Sequence, residues 1–217
     1  MTTSPEAKPA TSDDAQVAAA IRRAEERLQR DPASLVFAQL ADLYRKAGRT
    51  REAVALCREG LARVPQYATA RLILAKALLA ENALDEAVAE IETILAASPN
   101  DVPTRRLAAE AERRRGRVDR AAEHLDVVVA ADRTDRESRA LLAVLRAAPG
   151  ADETGGLARV LRDDTFVTPS FGAVCLEQGA TEEAALVFTR LLRRDPNHAG
   201  AREGLEQALR ARLRRKG

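Results

Sequence analysis

His124 and His198 are the only histidines in the chain, and Cys57 and Cys175 the only cysteines. A structural or catalytic zinc site needs three or four such ligands at short spacing. Neither histidine has a Cys or His at that spacing, so both read as surface residues. Two cysteines are too few for a disulfide framework. Each falls inside an apolar helical pattern, which suits buried thiols in a reducing compartment. The carboxylate pairs Glu182-Glu183 and Asp163-Asp164 are adjacent in sequence. Neighbours on a helix diverge and cannot share a proton. Gly155-Gly156 lacks the spacing and the preceding strand of a phosphate loop. The expectation is therefore a protein that is not an enzyme, with no catalytic residue, no cofactor and no metal.

With no reactive constellation, the elements themselves must carry the function. The chain has 217 residues and only six aromatics, four Phe and two Tyr. Its wealth of Ala, Leu, Arg and Glu favours helix over strand. Charged residues make up 31% of the chain, yet the net charge is +2. That balance suggests solvated helix faces and argues by bulk charge against a nucleic-acid-binding protein. No run approaches the ~20 apolar residues of a transmembrane segment. The opening MTTSPEAKPATSDD lacks the apolar core of a secretory signal and reads as a disordered tail. A soluble, cytoplasmic protein is the expectation.

One short phrase is written repeatedly. Thr50 to Pro65 reads TREAVALCREGLARVP, and Thr181 to Pro196 reads TEEAALVFTRLLRRDP. Pro32, Pro65 and Pro99 are 33 and 34 residues apart. Gly48, Asn82, Gly116 and Gly150 are spaced by 34, as are Ala53, Ala87 and Ala121. Such a period with a turn at its middle describes two helices of roughly 12 residues each. In the first copy, Ser34 to Ala47 is the first helix, with Phe37, Leu40, Ala41 and Tyr44 on one face. Thr50 to Val64 is the second, with Ala53, Leu56, Cys57, Gly60, Leu61 and Val64 turned inward. Such a hairpin cannot bury its apolar face alone and must stack on its neighbours.

This pattern resembles the tetratricopeptide repeat family. The family places a large residue, Leu, a small residue and Tyr along the first helix. Ala, a large residue and Ala follow on the second, and Pro closes it. The first copy supplies Phe37, Leu40, Ala41, Tyr44, Ala53 and Pro65, and varies with Cys57 and Gly60. The second supplies Leu74, Ala75, Ala87 and Pro99, with Leu78 and Ile91 as substitutes. The third keeps Ala109 and Ala121 but has Glu112 where Tyr is usual. The last keeps Phe171, Gly172, Ala184, Phe188 and Pro196. The resemblance covers about residues 15 to 210. It implies an all-α, right-handed superhelical solenoid of helical hairpins with terminal capping helices, serving as a protein–protein interaction scaffold or adaptor.

Four stretches follow from the register. Residues 1–13 are a disordered tail. Residues 14–146 are an N-terminal array, opened by a lone capping helix from Asp14 to Arg30. In 147–167 the fourth copy degenerates: Gly155-Gly156 replaces its Ala, and Arg133 to Pro196 is 63 residues, five short of two periods. This stretch is either a short irregular helix or a hinge. Residues 168–217 hold the last copy and a basic capping helix, Ala199 to Arg215.

By the resemblance, the first helix of each copy lines a concave groove. It presents Leu35, Ala38, Asp42, Arg45 and Lys46 in the first copy. Thr69, Leu72, Lys76, Leu79 and Ala80 follow in the second, and Pro103, Arg106, Glu110, Arg113 and Arg114 in the third. Leu72 and Leu79 would form an apolar floor, flanked by Arg45, Lys46, Lys76, Arg106, Arg113 and Arg114. Such a surface suits a protein or peptide partner with acidic residues and apolar anchors; otherwise these cations are a solvated face. Ala38 and Asp42 stand where the chaperone-binding members carry Lys and Asn, so that activity is not expected. Two other readings remain, self-assembly into a homo-oligomer and a basic tail, RARLRRKG, that meets nucleic acid or lipid.

Overall fold

The computed structural model describes residues 12–146 and 167–215. Among them are eleven helices and no strand. They are α1 (Ser12–Arg30), α2 (Val36–Lys46), α3 (Thr50–Arg63), α4 (Ala68–Ala80), α5 (Leu84–Ala97) and α6 (Val102–Arg114). Then come α7 (Val118–Ala131), α8 (Arg136–Arg146), α9 (Pro169–Glu177), α10 (Thr181–Arg194) and α11 (Ala199–Arg215). The architecture is an all-α helical-repeat solenoid. Residues 1–11 of the expected opening tail, most of the 147–167 stretch and Gly150 lie outside the described residues; α1 starts at Ser12, two residues before the expected Asp14.

The hairpins share one turn chemistry. Gly48, Asn82, Gly116 and Gly179 adopt positive φ, at 76, 60, 79 and 73°. Just beyond each, a backbone N–H returns to a carbonyl of the preceding helix: Arg49 to Tyr44, Ala83 to Leu78, Arg117 to Glu112 and Ala180 to Cys175, all at 2.8–2.9 Å. This is the Schellman closure, which satisfies carbonyls the helix end would leave unpaired. Helix starts are closed by side chains where the sequence supplies them. Asp101 accepts from the Thr104 N–H at 3.0 Å, and Thr168 from the Phe171 N–H at 3.2 Å. Asp135 caps α8 by accepting from the Ser138 N–H at 3.0 Å.

Packing follows the small residues. Ala41, Ala53, Ala75, Ala87, Ala109, Ala121 and Ala184 are all buried, so paired helices approach closely at these levels. Phe37 is seated on Gly60, where a Cβ would come within 2.1 Å of its ring. Its ring also meets Tyr67 edge-on at 5.8 Å. The departure from Ala at Gly60 thus makes room for a large anchor. Phe188 is held the same way between Gly172 and Gly204.

The chain divides into two compact units, Met1–Ile94 and Leu95–Gly217. In the first, α1 packs on α2 through Ile21, Ala24 and Leu40. The Tyr44 hydroxyl donates to Glu25 across this contact at 2.8 Å. In the second, one core joins α6 through α11. Ala109, Ala121, Leu125 and Leu145 lie in the same cluster as Cys175, Phe188, Leu192 and Leu205. A regular array makes contact only between neighbouring repeats. Here the α6–α7 turn meets the end of α10: a Cβ on Gly116 would stand 2.1 Å from the Pro196 carbonyl oxygen. Arg193, in the last turn of α10, donates to Asp119 at 3.0 Å and to the Leu145 carbonyl at 2.5 Å. The last helices therefore close back on α6–α8.

Candidate functional site

In the first unit, α2 and the start of α4 leave a cleft of about 480 Å³ between them. Its apolar wall is Leu35, Val36 and Leu43, and its opposite wall includes Tyr67, Thr69 and Ile73. Leu35 is 47% exposed, high for a leucine. It sits at the helix entry, where Ser34 accepts from the Val36 N–H at 3.4 Å and holds the backbone in place. Asp42 and Lys46 stand at the polar end, one turn apart on the same helix face.

Asp42 organises that polar end. Lys46 Nζ lies 2.7 Å from its carboxylate. The Arg45 guanidinium reaches the same group through Nη2 at 2.8 Å and Nε at 3.1 Å. Burial works to raise the Asp42 carboxyl, but the hydrogen bonds from Lys46 and Arg45 outweigh it and hold it below its ordinary value. Asp42 therefore stays charged and fixes two cations at the cleft. Lys46 remains 57% exposed, with ammonium donors to spare.

The sequence-derived groove residues meet different fates. In the first unit, Lys46 lines the cleft and Arg45 adjoins it through Asp42. Lys76 is half-buried on α4 and makes no ion pair among the described residues. Leu72 is half-buried, while Leu79 is only 3% exposed and belongs to the core. The open leucine is Leu35, which shares one register face with Leu72 and Leu79. In the second unit, the three cations meet the chain's own carboxylates. Arg106 pairs with Asp135 at 2.8 Å and Arg114 with Glu110 at 3.7 Å. Arg113 is paired with Glu206 of α11 and is 12% exposed.

The reactive side chains stay quiet. Cys57 is buried and its thiol is pushed up to about 12 by desolvation. Burial raises Cys175 as well. A thiol held protonated is a poor nucleophile. His124 Nδ1 lies 3.0 Å from the Arg105 guanidinium. His198 accepts from the Ala201 N–H at 3.1 Å and caps α11. Among the described residues, no three His, Cys, Asp or Glu side chains converge as a metal site. No described helix is long and apolar enough to cross a membrane.

Comparison with known proteins bears on the helical-repeat fold. The tetratricopeptide repeat sequence model matches residues 44–104 and again residues 79–145. No curated protein matches the chain. Among solved structures, it is similar to a tetratricopeptide repeat protein from Parabacteroides merdae, at TM-score 0.56 and 17% identity. That alignment covers 91% of this chain and 94% of the other. A structure described as MamA MSR-1 C2 aligns at TM-score 0.48 and 18% identity, over 82% of this chain and 96% of the other.

Proposed function

We propose, from the premise that this chain belongs to the tetratricopeptide repeat family, that it is a protein–protein interaction scaffold whose first unit holds a linear segment of a partner. The observation that carries the reading is the α2–α4 cleft, with an exposed leucine at one end and an oriented cation pair at the other. An apolar anchor of the partner packs on Leu35, Val36 and Leu43. An acidic residue of the partner meets Lys46, with Arg45 and Lys76 adding to the positive field. The exposed apolar contact supplies affinity, and the charges fix direction and speed encounter. Arg106, Arg113 and Arg114 of the second unit each meet a different carboxylate, whereas Arg45 and Lys46 share Asp42 and leave one positive charge over, so the second unit's cations enter this reading as structural groups. It is a binding function rather than a catalytic one.

The test is capture of partners from a lysate of the native cell, followed by cross-linking to locate the bound segment. The wild type is compared with Lys46→Glu/Lys76→Glu and with Leu35→Ser. The expected result is one protein retained by the wild type, cross-linked to α2 or α4, and lost from both variants. A partner retained equally by all three, or cross-linked to other helices, overturns the assignment of the cleft. A chain that captures only itself replaces the scaffold reading with self-assembly.

A further inference from the structure

The basic run at the end of α11 is left unused by the cleft. The core of the second unit fixes how far this helix extends. The Phe188 ring bears on both Gly172 of α9 and Gly204 of α11, so these two glycines lie at one level. Both helices run antiparallel to α10, to which they are joined by short turns. At ~1.5 Å rise per residue, Glu177, the last residue of α9, is level with Leu209. Thr181, the first residue of α10, is level with Ala211 by the same count. The last turn of α11 therefore stands past both neighbours.

What that turn carries is specific. Leu213 is 64% exposed, the most exposed of the large apolar side chains described. Leu205 and Leu209 on the same helix are, by contrast, buried and half-buried against the core. Arg210 and Arg214 flank Leu213, are exposed, and make no ion pair among the described residues. Arg212 is tied back to Glu182 at 3.4 Å. In sequence the run continues with Arg215 and Lys216. Glu177, Glu182 and Glu183 are the carboxylates at this level of α9 and α10; in sequence the five cations from Arg210 to Lys216 outnumber them.

We infer that the projecting end of α11 docks on an anionic lipid surface. A bilayer interface takes both halves of the feature: headgroup phosphates and carboxylates meet the arginines, and the acyl boundary takes the leucine. A nucleic-acid backbone would satisfy the cations but has no use for an exposed leucine, and no aromatic side chain lies in the run to stack on a base.

The experiment is co-sedimentation of the full chain with vesicles. One set is phosphatidylcholine with about one-third phosphatidylserine, and the other is phosphatidylcholine alone. Binding is expected to the anionic set only, and to weaken with added salt. Arg210→Glu/Arg214→Glu should lower the partition coefficient about tenfold or more, and Leu213→Ser about threefold, with thermal midpoints unchanged. Absence of binding to anionic vesicles, or equal binding to both sets, overturns the inference. So does a Leu213→Ser variant that binds as the wild type does while a single-stranded oligonucleotide competes the vesicles away. That outcome would mark a general polyanion site.

Discussion

At Gly48 and at Gly116 the chain builds the same turn. Both glycines have positive φ, 76° and 79°, and both are followed by the same N–H to carbonyl closure. Around Gly48 there is open space: nothing lies within 4 Å of a Cβ built there. Around Gly116 the Pro196 carbonyl and a Leu192 methyl close in. The same contrast holds for the cations. Lys46 looks into an open cleft, while Arg113, where the first copy has Arg45, is covered by α11. The register of a repeat specifies which face of a helix a residue occupies. It does not specify whether a later part of the chain has already taken that face.

The largest effect should come from the ring that joins α9, α10 and α11. Phe188→Ala removes a buried ring wedged between two glycines, and should cost about 3–5 kcal/mol. Hydrogen exchange read helix by helix should show protection lost from α6 through α11 and retained in α2–α4. Equal loss in both regions would mean that the two units unfold as one.

Alanine at the two turns sharpens the comparison. At Gly48 only the left-handed backbone resists the change, and the cost should be about 1 kcal/mol. At Gly116 the Pro196 carbonyl must also move, so about 2–4 kcal/mol is expected. Urea denaturation of the two variants gives the difference directly. Equal costs would refute the packing of the α10 terminus on the α6–α7 turn.

Much of this was legible in the sequence, for a physical reason. The 34-residue spacing of turn residues and small residues is set by local backbone conformation and by the closest approach of two helices, both nearest-neighbour properties. Ala53, Ala87 and Ala121 are accordingly buried, and α3 starts at Thr50 as its pattern implies. Gly179, the turn of the last hairpin, lay outside the 34-residue series because the copy is five residues out of phase. The return of α9–α11 onto α6–α8 was not legible. Glu206 and Arg113 are 93 residues apart, and nothing in either helix pattern pairs them. The site was legible by face only. Register puts Asp42, Arg45 and Lys46 on one face of α2, where Asp42 and Lys46 line the cleft and Arg45 does not, whereas Leu79 is buried with most of α4. Register places Leu35 on the same face as these residues, but its exposure depends on what packs beside it.

The covered and exposed cations should also differ in stability. Arg113→Ala leaves Glu206 without its partner at a mostly covered site, and should cost about 1 kcal/mol. Lys46→Ala removes an exposed partner of Asp42 and should cost at most about 0.5 kcal/mol. Denaturation midpoints of the two single variants test this. A Lys46 effect equal to or above that of Arg113 would mean that the cleft cation is part of the fold's support.

Acid should separate the units least, because each contains a carboxylate held low. Asp42 is lowered by Lys46 and Arg45 against the effect of burial; Asp135 is lowered first by its bond to Ser138, then aided by Arg106. A carboxyl whose value in the folded chain lies below its ordinary 3.8 contributes stability that is complete above that value. The contribution falls away as pH drops below it, because the unfolded chain takes up the proton first. Both units should therefore lose stability together below 3.8. Asp42→Asn should flatten the acid slope for α2 alone, and Asp135→Asn for α8 alone, in hydrogen exchange between pH 5 and 3, a window set by those values. If Asp42→Asn leaves the slope at α2 unchanged, its contact with Lys46 and Arg45 does not persist in solution. The cation pair at the cleft would then be unfixed, and the contrast between an oriented open site and a covered one would rest on Leu35 alone.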